Sequence, residues 1–206
     1  MTWLHKLLRK GDRVLDLGAG LGVTSTVAAK FPGVVSVTSF EANPNSIDYI
    51  RGVHELNNVT VDLRHGMLVP EGAGKPRLFP VHEHIIASSE FRTGEKATTK
   101  VEIPTHSIQD LIADLKPTFL CCDIEGSEFG LLKGQDLSSI RVIVIEMHPG
   151  IIGADKVRAL RKQFEKAGIM KNVKLSKHDV HVYERGEQNP VMKAVKALKQ
   201  VKALWS

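Results

Sequence analysis

The sequence predicts an α/β protein with a mostly parallel sheet of seven strands, helices on both faces, and an antiparallel strand pair at the end. Three observations support this fold class. From residue 12 onward, buried strand-like runs alternate with helix-like segments, a glycine-rich turn follows the first run, and ionisable side chains follow later runs. Such alternation requires crossover connections, which produce parallel sheets that bind ligands beyond the carboxyl ends of their strands.

The composition fits a single globular domain. A chain of 206 residues with 42% hydrophobic and 25% charged residues can bury a full-sized core and is not disordered. The only two cysteines, Cys121 and Cys122, are adjacent in a strand-like run, so they point to opposite faces and cannot pair with each other. We therefore expect both thiols to be reduced and buried in the core. No apolar run is long enough to cross a bilayer and the first residues lack a secretory signal, so we expect a cytoplasmic protein.

The predicted elements follow one another in a regular order. Asn43 followed by Pro44 is a helix-start signal, whereas Pro32-Gly33, Pro117 and Gly168 end helices. Helices are predicted at residues 23–30, 43–57, 107–115, 126–133 and 154–167. Parallel strands are predicted at residues 13–17, 34–41, 59–64, 118–123 and 141–147, and the final antiparallel pair at 171–175 and 180–184.

Two segments depart from this alternation, which otherwise indicates one domain over residues 1–186. Residues 66–106 contain several prolines and glycines, a strand-like run at 79–88 and then a polar loop, which predicts an insertion or lid that binds the acceptor substrate. The alternative for this segment is a pair of extra strands. Residues 187–206 carry four lysines against one glutamate, and so +3 of the chain's net charge of +5. Their helical spacing of apolar residues predicts a basic amphipathic helix. Packing on the body or on a second copy in a homo-oligomer is favoured over binding to a membrane surface or nucleic acid.

The first strand runs into the sequence Asp16-Leu17-Gly18-Ala19-Gly20-Leu21-Gly22. A dinucleotide fingerprint does not fit, because Val23 and Ser25 occupy the positions where the third glycine would stand. The pattern Asp-x-Gly-x-Gly-x-Gly instead resembles the first motif of methyltransferases that depend on S-adenosyl-L-methionine (SAM). Glu41 ends the second strand, where an acidic side chain can accept hydrogen bonds from both ribose hydroxyls.

Ionisable groups are concentrated after the fourth and fifth strands. Asp123, Glu125 and Glu128 follow the fourth strand, and Glu146 and His148 end the fifth. Carboxylates that follow a buried strand are costly unless each has a partner or a task. This edge of the sheet is therefore the predicted catalytic site.

Four stretches in this order resemble the FkbM family of SAM-dependent methyltransferases. They are VLDLGAGLGVTS, SFEANPNSI, VEIPTHSIQDLI running into FLCCDIEGSEFGLLKG, and VIEMHP. The resemblance implies the Rossmann-like class I methyltransferase fold, SAM as cofactor, and transfer of a methyl group to a hydroxyl of a sugar, polyketide or other small metabolite. The predicted cofactor-binding residues are Asp16, Gly18, Ala19, Gly20, Gly22, Glu41, Ala42, Asn43 and Asp123.

Removal of the hydroxyl proton needs a base, and His148 is the leading candidate because a neutral imidazole titrates near working pH. Glu125 is the second candidate. Asp123 is expected to contact the amino-acid part of the cofactor or to orient a neighbour, and Glu128 to interact with a helix N-terminus. A less favoured alternative is that Asp123, Glu146 and His148 bind a divalent metal such as magnesium or calcium.

Two further functions stay open beside methylation of a small molecule. One is methylation of RNA ribose, although aromatic residues for base stacking make up only 5% of the chain. The other is a non-catalytic SAM-binding subunit.

Overall fold

The computed structural model describes residues 4–81 and 99–186. The predicted amphipathic tail at residues 187–206 lies outside these ranges, as does most of the strand-like run predicted at residues 79–88.

Eleven strands are formed within the described residues. They are β1 (Arg13–Leu17), β2 (Ser36–Glu41), β3 (Asp62–His65), β4 (Met67–Val69), β5 (Arg77–Val81), β6 (Thr99–Ile103), β7 (Thr105–Ser107), β8 (Phe119–Cys122), β9 (Val142–Glu146), β10 (Ile169–Lys171) and β11 (Val180–Arg185).

Seven α-helices and one short 3₁₀ helix connect these strands in the described part of the chain. The helices are α1 (Leu4–Leu7), α2 (Val23–Ala29), α3 (Ile47–Leu56), α4 (Ile108–Leu115), α5 (Glu128–Leu132), α6 (Pro149–Ile152) and α7 (Ala154–Lys166), and the 3₁₀ helix is Pro44–Ser46.

The main sheet has seven strands in the order β10-β11-β9-β8-β1-β2-β3. The pairs from β9 through β3 are parallel, whereas β11 runs antiparallel to both β9 and β10. The predicted α/β fold, with a mostly parallel seven-stranded sheet and an antiparallel terminal pair, is confirmed. The carboxyl ends of β1, β2, β8 and β9 lie along one edge of this sheet, which brings the predicted site residues together.

Strand alternation divides the core into two layers, one on each face of the sheet. Leu15 and Cys122 pack in the layer covered by α4, α5 and α7, whereas Val14 and Cys121 pack in the layer with α1 and α2. The two cysteines are buried and free. The structure thus confirms that these thiols point to opposite faces and do not pair.

Part of the segment predicted as an insertion forms two small sheets. In one, β4 pairs with β7 in parallel, and in the other β5 pairs with β6 in antiparallel fashion. Met67, Phe79, Val81 and Ile103 form a small core, with Ala42 of the loop after β2 packed against it. This segment therefore adjoins the carboxyl end of β2. β6 and β7 replace the end of the polar loop expected up to residue 106, which agrees with the alternative of extra strands in this segment.

The terminal strand predicted at residues 171–175 is also misplaced, since the strand is β10 at Ile169–Lys171. Asn172 ends it: its side-chain oxygen accepts a hydrogen bond from the Leu175 amide at 3.1 Å and its carbonyl accepts one from the Ser176 amide at 3.0 Å. Asparagine side chains stabilise turns in this way. The sequence analysis also missed α6, a single turn that starts at Pro149.

At the opposite edge of the sheet, a buried ion pair joins the start of β1 to the start of β9. Arg141 donates to Asp12 at 2.6 Å and to the Leu7 carbonyl at 2.8 Å, and Thr118 donates to Asp12 at 2.8 Å. Every carboxylate oxygen of Asp12 therefore has a partner, as a buried charge requires.

No helix in the described residues has both the length and the apolar character to cross a membrane.

Candidate active site

The glycine turn after β1 packs directly against the chain that leaves β8. Gly18 has a φ of 84°, and a β-carbon at this position would lie 1.8 Å from the backbone oxygen of Asp123. At Gly22, with a φ of 73°, a β-carbon would lie 2.8 Å from Ile50 Cγ2. Only glycine fits either position without a shift of its neighbours. The motif therefore brings three parts of the chain, the ends of β1 and β8 and helix α3, close together.

Glu41 spans the gap between this turn and the loop after β2. One carboxylate oxygen accepts a hydrogen bond from the Gly20 amide at 2.9 Å, and the other accepts one from the Asn43 amide at 2.8 Å. Burial raises the pKa of Glu41, and these backbone hydrogen bonds oppose that rise. The two amides hold the carboxylate in a fixed orientation beside the turn, and its contact with a ribose stays a prediction.

The remaining residues of the predicted cofactor site lie around this carboxylate. The amides of Gly18 and Ala19 donate to the Phe40 carbonyl at 3.0 and 2.9 Å, which fixes the turn to β2. The Ala42 carbonyl lies 3.2 Å from His65 Nε2. Asn43 accepts a hydrogen bond from the Asn45 amide at 3.0 Å and so caps the 3₁₀ helix.

Asp16 differs from the other predicted cofactor residues because its side chain is buried within the sheet. Its residue surface is 2% exposed, and it accepts a hydrogen bond from the Ser39 hydroxyl at 3.1 Å. Burial raises the pKa of Asp16 to about 7, with Glu41 and Asp123 adding to the rise. The structure thus places Asp16 beneath the turn, and a direct contact with cofactor stays a prediction.

A tight turn after β8 carries Asp123 and Glu125. Glu125 has a φ of 53° and Gly126 a φ of 105°, so two consecutive residues adopt left-handed or related conformations. Helix α5 consequently begins at Glu128 and not at residue 126 as predicted. A positive φ at a non-glycine residue is unfavourable and is often found at functional sites.

His148 lies between the carboxylates that follow β8. Its Nε2 atom is 3.5 Å from a Glu125 oxygen and 4.0 Å from an Asp123 oxygen, and its Nδ1 atom is 2.7 Å from Glu128 Oε1. Its backbone carbonyl accepts hydrogen bonds from the Ile151 and Ile152 amides of α6, each at 2.9 Å. The structure therefore brings the three predicted catalytic residues together.

The charges of this group alter its titration. The hydrogen bond to Glu128, together with the charges of Glu128, Glu125 and Asp123, raises the pKa of His148 to about 9 against the opposing effect of burial. Partial burial, with the charges of Glu146 and Glu125 nearby, raises the pKa of Asp123 to about 6, although 52% of its side chain remains exposed. The expectation that His148 titrates near neutral pH is wrong for this arrangement, because the surrounding carboxylates stabilise the imidazolium.

The sequence analysis missed the role of Glu128 as the partner of His148. A fully buried glutamate at the first residue of a helix requires a counter-charge, but the sequence alone does not say which residue supplies it. That partner, His148, follows β9 and is 20 positions along the chain.

One group of ligand atoms within the described residues has the spacing for a metal ion. The ligand atoms of Asp123, Glu125 and His148 lie within 4.8 Å of one another. Glu146 is not in this group, so the alternative metal site of the sequence analysis has Glu125 in its place. A single imidazole nitrogen and two carboxylates suit several divalent ions, and exposed acids often group without one.

In this parallel sheet a glycine turn follows β1, an acidic residue ends β2, and ionisable groups follow β8 and β9. This arrangement is typical of α/β proteins that bind a nucleotide-like cofactor. The chain belongs to the methyltransferase FkbM domain family, whose model matches residues 16–169. This is a family of SAM-dependent methyltransferases, so the resemblance seen in the sequence is confirmed.

Curated relatives match shorter stretches of the chain. The ribosomal protein L11 methyltransferase of Symbiobacterium thermophilum is 35% identical over 88 residues, which is 43% of this chain and 28% of that protein. The ribosomal protein L11 methyltransferase of Thermotoga neapolitana is 31% identical over 74 residues, which is 36% of this chain and 28% of that protein. The matched stretches thus span under a third of these relatives.

Solved structures share the fold at low sequence identity. The O-methyltransferase TomG from Streptomyces achromogenes, solved in complex with SAM, has a TM-score of 0.52 and 13% identity, covering 90% of this chain and 79% of TomG. A putative rRNA methylase from Clostridium thermocellum has a TM-score of 0.52 and 10% identity, covering 89% and 91% of the two chains. Both likenesses show a Rossmann-like methyltransferase fold.

Proposed function

We propose that this protein transfers the methyl group of SAM to a hydroxyl oxygen of a small, uncharged acceptor. The observation that carries the proposal is the pairing of two preformed groups along one sheet edge. These are the Glu41 carboxylate held by the Gly20 and Asn43 amides, and the His148 imidazole held among Asp123, Glu125 and Glu128.

In the proposed complex, Glu41 accepts hydrogen bonds from both ribose hydroxyls of SAM. The turn at residues 18–22 would hold the methionine part of the cofactor, with Asp123 beside it, and bound SAM would supply an activated methyl group. A sulfonium is cationic, so the excess of carboxylates around Asp123 favours its binding. The methyl group is already activated, so the protein mainly aligns the acceptor and excludes water.

The proposed proton acceptor is Nε2 of His148 in its neutral form, with the Glu125 carboxylate as the second candidate. Because the pKa of His148 is raised to about 9, the imidazolium predominates at neutral pH. Only about 1% of the ring is neutral two pH units below its pKa. This predicts an enzyme whose turnover increases into the alkaline range.

The charge at the site also bears on the acceptor. The half-buried Glu125 and Glu146 and the exposed Asp123 disfavour a phosphate close to the methyl group. We therefore favour a neutral hydroxyl compound over RNA ribose. The small sheets formed by β4 to β7 are proposed to bind the acceptor. They lie beside the proposed cofactor site, because the Gly66 amide, just before β4, donates to the Glu41 carbonyl at 2.9 Å.

Free, buried cysteines support a cytoplasmic location for the protein.

An assay of methyl transfer tests this function directly. With methyl-labelled SAM, we expect label in neutral sugars, polyols or hydroxylated lipids, little in RNA, and persistence of the activity in excess chelator. Calorimetry with SAM alone separates cofactor binding from turnover. Label that appears only in RNA would contradict the acceptor class. SAM binding with no transfer to any acceptor would favour the non-catalytic alternative, and loss of activity in chelator would favour the metal site.

The role of His148 is tested by replacing it with asparagine, which retains a donor near the position of Nδ1 but has no Nε2. We expect kcat to fall about 100-fold or more, the usual loss on removal of a general base, with the Kd for SAM within about twofold of wild type. In the wild type, kcat/KM, which reports the free enzyme, should rise about tenfold per pH unit and level off near pH 9. A profile already level above pH 7 would instead indicate a carboxylate such as Asp123, whose pKa is about 6.

A further inference from the structure

The side chain of Glu128 is completely buried at the start of α5. Its Oε1 atom accepts hydrogen bonds from His148 Nδ1 at 2.7 Å and from the Gly126 amide at 2.9 Å. Its Oε2 atom has no hydrogen-bond partner among the described residues. Both hydrogen bonds that stabilise this buried carboxylate in the described structure therefore pass through a single oxygen.

The hydrogen bond to Glu128 determines which way the imidazole of His148 presents its two nitrogens. A carboxylate oxygen can only accept, so Nδ1 must carry the proton of this bond. In the neutral ring the lone pair then lies on Nε2, which faces Glu125 at 3.5 Å and Asp123 at 4.0 Å. The nitrogen that can take a proton is thus directed toward the residues that follow β8.

We infer that Glu128 is a positioning residue that fixes the tautomer and orientation of His148, so that Nε2 faces the acceptor hydroxyl. This inference rests on the proposed function for the part that concerns turnover. It assigns to Glu128 a task distinct from interaction with the helix N-terminus that the sequence suggested.

The backbone supports the same assignment. The left-handed turn at Glu125 and Gly126 directs the Gly126 amide back toward Glu128, which fixes the carboxylate from the β8 side. On the β9 side, α6 fixes the backbone of His148 through two hydrogen bonds to its carbonyl. The hydrogen bond between Glu128 and His148 therefore connects the segment after β8 with the segment after β9.

The Glu128 carboxylate is also a source of basicity for the ring. Its hydrogen bond to the ring contributes more to the raised pKa of His148 than the charges of Glu125 and Asp123 do. Carboxylate partners of metal-bound histidines orient the ring and raise its basicity, and their loss typically lowers metal affinity or activity about 10- to 100-fold. We expect an effect of the same order on His148. Glutamine at position 128 would retain the shape and an accepting oxygen but remove the charge.

The experiment is an NMR titration of the His148 ring in wild type and in Glu128→Gln, without cofactor or acceptor. We expect the pKa of His148 to fall by about one unit or more in the variant, because the charge that stabilises the imidazolium is gone. Glu165→Gln serves as the control: Glu165 accepts from Arg161 on α7 and is not among the groups that shift the pKa of His148. This control should leave the titration unchanged.

Activity gives the second measurement. Glu128→Gln is expected to lower kcat about 10-fold at pH 9 with the Kd for SAM unchanged, and to shift the alkaline rise of kcat/KM toward lower pH. Glu128→Ala should lose more of kcat than Glu128→Gln does, so that glutamine is a partial rescue. An unshifted imidazole pKa in a folded Glu128→Gln protein would overturn the inference, as would wild-type kcat at every pH. A shifted pKa in a protein that transfers no methyl group would instead uphold the pairing and contradict the proposed function.

Discussion

Replacing Gly18 with alanine is expected to destabilise the folded protein severely. A β-carbon at this position would lie 1.8 Å from the backbone oxygen of Asp123, and the residue has a φ of 84°. The nearest atom belongs to the backbone, so relief requires the ends of β1 and β8 to move apart. We expect a loss of about 3 kcal/mol or more in the free energy of unfolding, from overpacking and backbone strain together.

Thermal unfolding measures this effect, and Gly20→Ala is the matched control. Gly20 also has a positive φ, of 57°, but a β-carbon there would meet no atom within 4 Å. Only the conformational cost of about 1–2 kcal/mol applies to it. Gly18→Ala should therefore lower the Tm by about 10 °C, and Gly20→Ala by roughly a third to a half of that. Equal effects of the two substitutions would show that the contact between Gly18 and Asp123 does not constrain the turn.

Replacing Glu41 with alanine is expected to weaken the binding of SAM severely. In the proposed complex the carboxylate accepts two hydrogen bonds from the ribose, and hydrogen bonds to a charged group contribute about 1.5–3 kcal/mol each. The change also leaves the Gly20 and Asn43 amides without their acceptor, which loosens the turn. Calorimetry should show a Kd for SAM raised by about 100-fold or more.

Glu41→Gln separates the charge from the shape, and Glu55→Gln is the control. Glutamine retains one accepting oxygen, so we expect an intermediate loss of affinity of about 10-fold or more. Glu55 is exposed on α3, and its replacement should leave the Kd unchanged. A wild-type Kd in folded Glu41→Ala protein would contradict the proposed site for the ribose, and with it the placement of SAM along this edge.

The order of elements along the chain could be predicted because each depends on local pattern. The strands β8 and β9 are almost entirely apolar, and β1 is apolar apart from Arg13 and Asp16, as expected for strands buried on both faces. The glycine and proline signals mark the ends of α2, α4 and α7. The errors concern elements whose bounds depend on partners elsewhere. β10 ends where Asn172 forms a turn, and β6 and β7 exist because they pair with β5 and β4. Short polar strands carry little hydrophobic periodicity, so no local pattern indicates them.

The candidate site was predictable to a similar extent. Parallel strands deliver the residues after their carboxyl ends to one edge, so the sequence alone brought Gly18, Glu41, Asp123, Glu125 and His148 together. The sequence could not indicate that Glu128 contacts His148 or that Asp16 is buried beneath the turn. These features depend on side-chain direction and burial, which local sequence does not determine.

By itself, the sequence determined the fold class, the family and the strand ends that carry the site, because apolar periodicity and glycine spacing are local properties of the chain. The tertiary structure alone decided which ring nitrogen of His148 is bonded and why the pKa of that residue rises to about 9. The physical reason is that electrostatic interactions depend on distance and burial. A carboxylate twenty positions away in the chain lies 2.7 Å away in space, where little water screens it.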